Sequence, residues 1–249
     1  MADNTATDYR DIPTYVYGQE AGSSSTRTVP FYFIGDSSES MKDVKIAQAN
    51  AALRELVPVL EEREQELYAH FAVRLLRVGG IAAWAGDAAT RPSAFRPPEL
   101  RADGKTPLGA AFDLMAIEMA QLAARQSRAR DLLTPAILLV SDGHPTDEYQ
   151  APLARLLATD AGRGSVRAAV AIGADCDRTM LVRFTGDPQL IFEVTDIYAV
   201  ASAIQAATMH LSKAAVDPAA SRPLNDGGQP QQAGASADPY TEFVTGFDR

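Results

Sequence analysis

The sequence predicts a single α/β domain of the doubly wound, three-layer, Rossmann-like class, with a mixed six-stranded sheet that is mostly parallel and carries one antiparallel edge strand. Three observations predict it. Short apolar runs rich in Val, Ile and Phe alternate with longer stretches of helical periodicity, as strands separated by crossover helices do. Those runs are apolar on both faces, as strands covered by helices on both sides must be. The 249 residues, 46% hydrophobic and 22% charged, suffice for one large core.

The elements follow in order. Residues 1–28 are polar and aperiodic, ending in Gly22-Ser23-Ser24-Ser25-Thr26, and read as a flexible N-terminal arm. The folded domain is expected over 29–216. Pro30-Phe31-Tyr32-Phe33-Ile34 is too short for a helix and stops at Gly35-Asp36. A long amphipathic helix is expected over 41–67, with Val44, Ala47, Ala51 and Leu60 in phase and Pro58 a point of kinking. The runs 71–78 and 81–85 flank Gly79-Gly80, a two-residue loop that suits an antiparallel hairpin. Residues 108–128 read as a helix, 136–140 as a strand, 152–157 as a short helix and 166–172 as a strand. A last strand is expected over 190–194 and a last helix over 197–213. Residues 217–249 form a low-complexity linker with an aromatic C-terminal tail, too poor in branched apolar residues to fold alone.

Composition narrows the function. A formal charge of −9 repels phosphate backbones and anionic lipid, so nucleic acid and membrane are not expected as partners. No apolar run reaches the roughly 18 residues of a spanning helix, and the first 25 residues lack the pattern of a secretory signal, so a cytoplasmic location is expected. The single cysteine, Cys176, and three scattered histidines make no thiolate or imidazole cluster, so any metal must be held by oxygen.

In sheets of this class ligands bind beyond the carboxyl ends of the strands, and three segments stand there. Asp36-Ser37-Ser38-Glu39-Ser40 has the spacing D-x-S-x-S, which sets a carboxylate and two hydroxyls on alternate positions of one turn. In Gly104-Lys105-Thr106-Pro107-Leu108-Gly109, Thr106 is expected at a helix N-cap, with Pro107 in the first turn and the hydroxyl aimed inward. Ser141-Asp142-Gly143 adds a second carboxylate, with Gly143 allowing a sharp turn. Two carboxylates and three hydroxyls suit a hard divalent ion: Mg²⁺, with Mn²⁺ or Ca²⁺ as the other possibilities.

These segments, in this order, resemble the metal-ion-dependent adhesion site of von Willebrand factor A domains. The resemblance spans roughly 29–216. It implies that Asp36, Ser38, Ser40, Thr106 and Asp142 hold the metal, and that an Asp or Glu of a protein partner completes its coordination. Thr106-Pro107-Leu108-Gly109 and Ser141-Asp142-Gly143-His144-Pro145-Thr146-Asp147 look most like the bacterial tellurite-resistance-associated branch. That likeness implies a non-enzymatic adhesion or scaffold module in a stress-response complex with a PP2C-like phosphatase and a protein kinase. Glu39 stands where that branch usually has glycine, and Lys105 where a second glycine commonly precedes the threonine.

Other readings compete. Gly35-Asp36-Ser37 matches the start of a GDS-type serine hydrolase with Ser37 as nucleophile, but no late Asp-x-x-His supplies the base. A metal-assisted phosphohydrolase using Asp36 and Asp142 likewise lacks a convincing base. His144 reads as a solvent-exposed loop residue, the loop around Cys176 as structural, and Phe31 and Trp84 as core aromatics. Glu39, Lys105 and His144 are expected to flank a partner. Four of the 8 tyrosines, Tyr9, Tyr15, Tyr17 and Tyr240, lie in the tails with Phe243 and Phe247, so Tyr9 to Tyr17 or Tyr240 to Phe247 is expected to dock as a short linear segment on a partner or on the domain's own surface, with ordinary disorder as the alternative.

Overall fold

The computed structural model describes residues 27–142, 144–174 and 176–217. Six strands form one sheet: β1 (Thr28–Asp36), β2 (His70–Gly79), β3 (Ile81–Trp84), β4 (Ala136–Ser141), β5 (Val166–Ile172) and β6 (Ile191–Val194). Their spatial order is β3-β2-β1-β4-β5-β6. Every pairing is parallel except β2 with β3. The chain therefore winds outward from β1 in one direction and then in the other, and the order reverses between β1 and β4.

Strand alternation divides the core in two. Phe31, Phe33, Val73, Leu75, Leu138 and Val140 point to one face, where α1 (Val44–Leu67) and α6 (Val200–Val216) cover them. Tyr32, Ile34, Leu76, Val78, Ile137 and Leu139 point to the other, beneath α2 (Leu108–Gln126), α3 (Gln150–Ala158), α4 (Asp160–Gly164) and α5 (Arg178–Thr185). Phe31 is fully buried and meets Phe71 edge to face at 6.3 Å. Trp84 is half-buried on the edge strand instead of enclosed, and the Arg74 guanidinium lies 3.8 Å from the centre of its ring.

The boundaries depart from expectation where backbone geometry overrides apolar periodicity. Met41 is buried in phase with α1 but belongs to a short 3-10 turn, Glu39–Met41, and α1 starts only at Val44. Between them Asp43 has φ 64°, a conformation that interrupts a helix. Pro58 lies inside α1 on its exposed side, where water can satisfy the carbonyl that its missing N–H leaves. No helix is expected from the sequence at α4 or α5; two of the five residues of α4, Gly162 and Gly164, are glycines, which weaken a helical pattern. Helix α5 is capped by Asp177, whose carboxylate accepts from the Met180 amide.

Candidate metal centre

The reversal of strand order sets the carboxyl ends of β1 and β4 side by side, with Gly35 in register with Val140. Asp36 and Ser141 therefore end adjacent strands, and their side chains meet: the Ser141 hydroxyl donates to Asp36 Oδ2 at 2.6 Å. The other carboxylate oxygen, Oδ1, accepts from the Ser38 amide at 2.8 Å, which folds the D-x-S-x-S segment back over the strand end.

From there a chain of oxygens crosses the gap. The Ser38 and Ser40 hydroxyls share a hydrogen bond at 3.0 Å, and Ser40 donates to Asp142 Oδ1 at 2.8 Å. Four of the five expected ligands, Asp36, Ser38, Ser40 and Asp142, thus gather at one point. Asp36, Ser38 and Asp142 are buried, and Ser40 stands at the exposed rim.

Thr106 is buried too, but its hydroxyl makes no hydrogen bond to the other four among the described residues. Nor does it cap a helix: α2 begins at Leu108, with Pro107 in the cap position. The cap comes from Asp147, whose carboxylate accepts from the Gly109 and Ala110 amides at 2.9 Å each. A side chain at Gly109 would meet the Glu148 carbonyl oxygen at 2.0 Å, so only glycine lets the loop after β4 lie this close to α2. The Thr106 carbonyl accepts from the Thr146 amide at 3.0 Å, tying the same two segments again.

Backbone packing holds the remaining loops together. Ser37 accepts from the Asp103 amide, Glu39 donates to the Gly104 carbonyl, and Gly80 donates to the Lys105 carbonyl, all at 2.8–2.9 Å. A Cβ on Gly79 would lie 2.4 Å from the Ser37 carbonyl oxygen, so the β2–β3 turn can approach the site only as glycine. Ser37 itself is fully buried, and its hydroxyl donates to the Val78 carbonyl at 3.3 Å.

The charge balance of the site is unfinished. Burial pushes the Asp36 carboxyl above the usual range, the Ser141 and Ser38 hydrogen bonds pull it back, and the negative charge of Asp142 pushes it up again. No cationic side chain touches Asp36 among the described residues. Asp142 has one: the Lys45 ammonium sits on its Oδ2. Of the two buried carboxylates only Asp142 is thus paired with an ammonium, and the hydroxyls around them have lone pairs to offer. That donor set fits a hard cation. Among the described residues no group of three or more His, Cys, Asp or Glu forms a metal cluster.

The expected flanking residues are all at the surface. Glu39 is exposed and paired with Lys42, whose hydrogen bond and charge hold its carboxyl below the usual range. Lys105 and His144 are exposed on the loops beside the site. Tyr15, Tyr17, Tyr240 and Phe243 lie outside the described residues, as does Gly143. Sequence reasoning missed the roles of Ser141, Asp147 and Lys45. Adjacency to Asp142 marked Ser141, but nothing local marked the other two.

No known protein-family model matches the sequence, and no curated protein matches it. Solved structures do. The pilus adhesin SpaC of Lactobacillus rhamnosus GG, in its open conformation, superposes with a TM-score of 0.56 at 15% identity, covering 76% of this chain and 30% of that one. A von Willebrand factor type A protein from Catenulispora acidiphila gives 0.53 at 18% identity over 73% of this chain and 42% of its own. The ArnB paralog VWA2 from Sulfolobus acidocaldarius gives 0.52 at 14% identity over 73% and 45%. The fold is that of von Willebrand factor A domains. This chain spans less than half the length of each of the three proteins. Within the von Willebrand factor A fold of this chain, the oxygen cluster occupies the point where strand order reverses, between β1 and β4. No helix of the described residues is long and apolar enough to cross a membrane.

Proposed function

We propose that this chain is a divalent-cation-dependent protein-binding module, an adhesion or scaffold domain without turnover of its own. The observation that carries the reading is the convergence of Asp36, Ser38, Ser40 and Asp142 through hydrogen bonds of 2.8–3.0 Å, with two buried carboxylates and one ammonium between them. Asp36, Ser38, Ser40, Asp142 and the neighbouring Thr106 would hold Mg²⁺, or Mn²⁺ or Ca²⁺ in its place. The bound ion would supply a positive centre for an Asp or Glu of a partner protein.

This chain's own residues set the terms of that contact. Ser141 orients Asp36, the Ser38 amide fixes its second oxygen, and Ser40 bridges to Asp142. The surrounding surface is mixed in sign, with Glu39 and Lys42 on one loop and Lys105 on the next. A cation resolves the conflict between an acidic chain and an acidic ligand. The partner class that the resemblance suggests is a PP2C-like phosphatase or a protein kinase in a cytoplasmic stress-response complex of the tellurite-resistance type.

The hydrolase alternatives are less well supported. The Ser37 hydroxyl is buried against the Val78 carbonyl, and among the described residues no histidine contacts it to take its proton. The test is capture of partners from a lysate by the full chain in Mg²⁺ and in EDTA, with Asp142→Ala as control. Proteins retained only in Mg²⁺ and only by the unsubstituted chain support the reading. Equal retention in EDTA contradicts it, as does hydrolysis of a generic ester or phosphate that is lost with Ser37→Ala or Asp36→Ala.

A further inference from the structure

We propose that Lys45 is a built-in competitor for the cation: its ammonium neutralises Asp142 in the metal-free chain and must leave before the ion can bind. The inference rests on the metal-binding reading above and adds a regulatory element to it. Lys45 is the second residue of α1, and its Nζ sits on Asp142 Oδ2, while the other oxygen of the same carboxylate accepts from Ser40. Both Asp142 oxygens are therefore occupied by donors from the segment just after β1.

The pairing is asymmetric in a way that suits exchange. The Asp142 side chain is fully enclosed, whereas that of Lys45 is 37% exposed, so the carboxylate is fixed and the lysine can swing into water on its flexible stem. Lys42, at the end of the preceding 3-10 turn, pairs with exposed Glu39 instead, so Lys45 alone serves the buried site among the described residues. In the metal-free state the ammonium spares the fold an uncompensated buried carboxylate. A cation that takes Asp142 releases Lys45 at the rim, where its charge faces an incoming acidic partner. The lysine thus sets a threshold cation concentration and then contributes to the surface that forms above it.

A lysine that merely held Asp142 in place would act with the opposite sign, because its removal would weaken metal binding. The experiment titrates Mn²⁺ into the full chain, wild type, Lys45→Met and Lys45→Arg, and records melting temperatures in EDTA. Lys45→Met is expected to bind Mn²⁺ about tenfold tighter, the fold-change that one charge-assisted hydrogen bond represents, and to melt lower in EDTA. Lys45→Arg, which keeps the charge, stays near the wild-type affinity. Unchanged or weaker binding by Lys45→Met, in a wild type that does bind Mn²⁺, overturns the inference while leaving the metal site standing. A wild type that binds no cation overturns both. Amine acylation of the wild type, read by mass spectrometry, needs no variant to fold. Lys45 should react faster relative to exposed Lys213 in saturating Mn²⁺, and an equal or slower rate overturns the proposal.

Discussion

The Ser40 hydroxyl donates to Asp142 Oδ1 across 2.8 Å, although the two residues stand 102 positions apart in the chain. This bond joins the loop after β1 to the loop after β4 across the reversal of strand order. It is the point at which two weak local motifs become one site.

Cation binding should stabilise the fold by mass action. At a hundred times its dissociation constant, Mg²⁺ or Mn²⁺ contributes about 2.7 kcal/mol. In a domain of this size that is a rise in melting temperature of roughly 5–10 °C. Ser40→Ala should shrink the rise and Asp142→Asn should remove it, as read by differential scanning fluorimetry against EDTA. Equal rises in all three proteins would place the cation elsewhere.

Asp36 should make the metal-free fold sensitive to pH. Its carboxyl is raised chiefly by burial, so the folded chain holds that proton more tightly than the unfolded chain does. The stability this contributes is fully present below the unfolded pKa and is lost as pH rises through the folded one. In EDTA, Asp36→Asn should therefore gain on the wild type as pH rises from about 4, while showing no response to cation. Urea melts at successive pH values check it, and a difference that widens toward low pH would contradict it.

Ser37→Ala should separate adhesion from hydrolysis. It removes one buried hydrogen bond to the Val78 carbonyl, a loss of about 1 kcal/mol. Partner capture in Mg²⁺ should be unchanged in a pull-down, and loss of capture would assign Ser37 a role that its burial gives it no means to perform.

Asp147→Ala should uncap α2 and loosen the loop that carries Asp142. Loss of the cap costs about 1 kcal/mol by denaturant titration, and because Asp147 also pins residues 146–148 against α2, Mn²⁺ affinity should fall with it. Unaltered affinity with reduced stability would show that the loop holds its shape without the cap.

Much of this architecture was legible in the residues because burial on both faces leaves a plain signal. Phe31 to Ile34 and Ile137 to Val140 lack the polar alternation of an exposed strand, and Gly79-Gly80 marks the one antiparallel turn. The D-x-S-x-S spacing and the aspartate after β4 marked four residues that the structure brings together. The failures have a common cause, which is contact at a distance. Thr106 and Pro107 carry the local signs of a helix start, yet the cap arrives from Asp147, 38 residues beyond the Gly109 amide that it accepts from. Nothing local marks Lys45, because only the adjacency of β1 and β4 brings Asp142 within its reach. Asp43 shows the reverse case: its φ of 64° ends a periodicity that Met41 would otherwise extend.

Calorimetric titration of Mn²⁺ into the full chain and into its Asp142→Asn variant bears most directly on the whole account. Saturable binding of one ion per chain, absent from the variant, is the expected result. Heat of binding that is missing from both proteins, or identical in both, would mean that these converging oxygens are a hydrogen-bonded junction between loops and hold no ion.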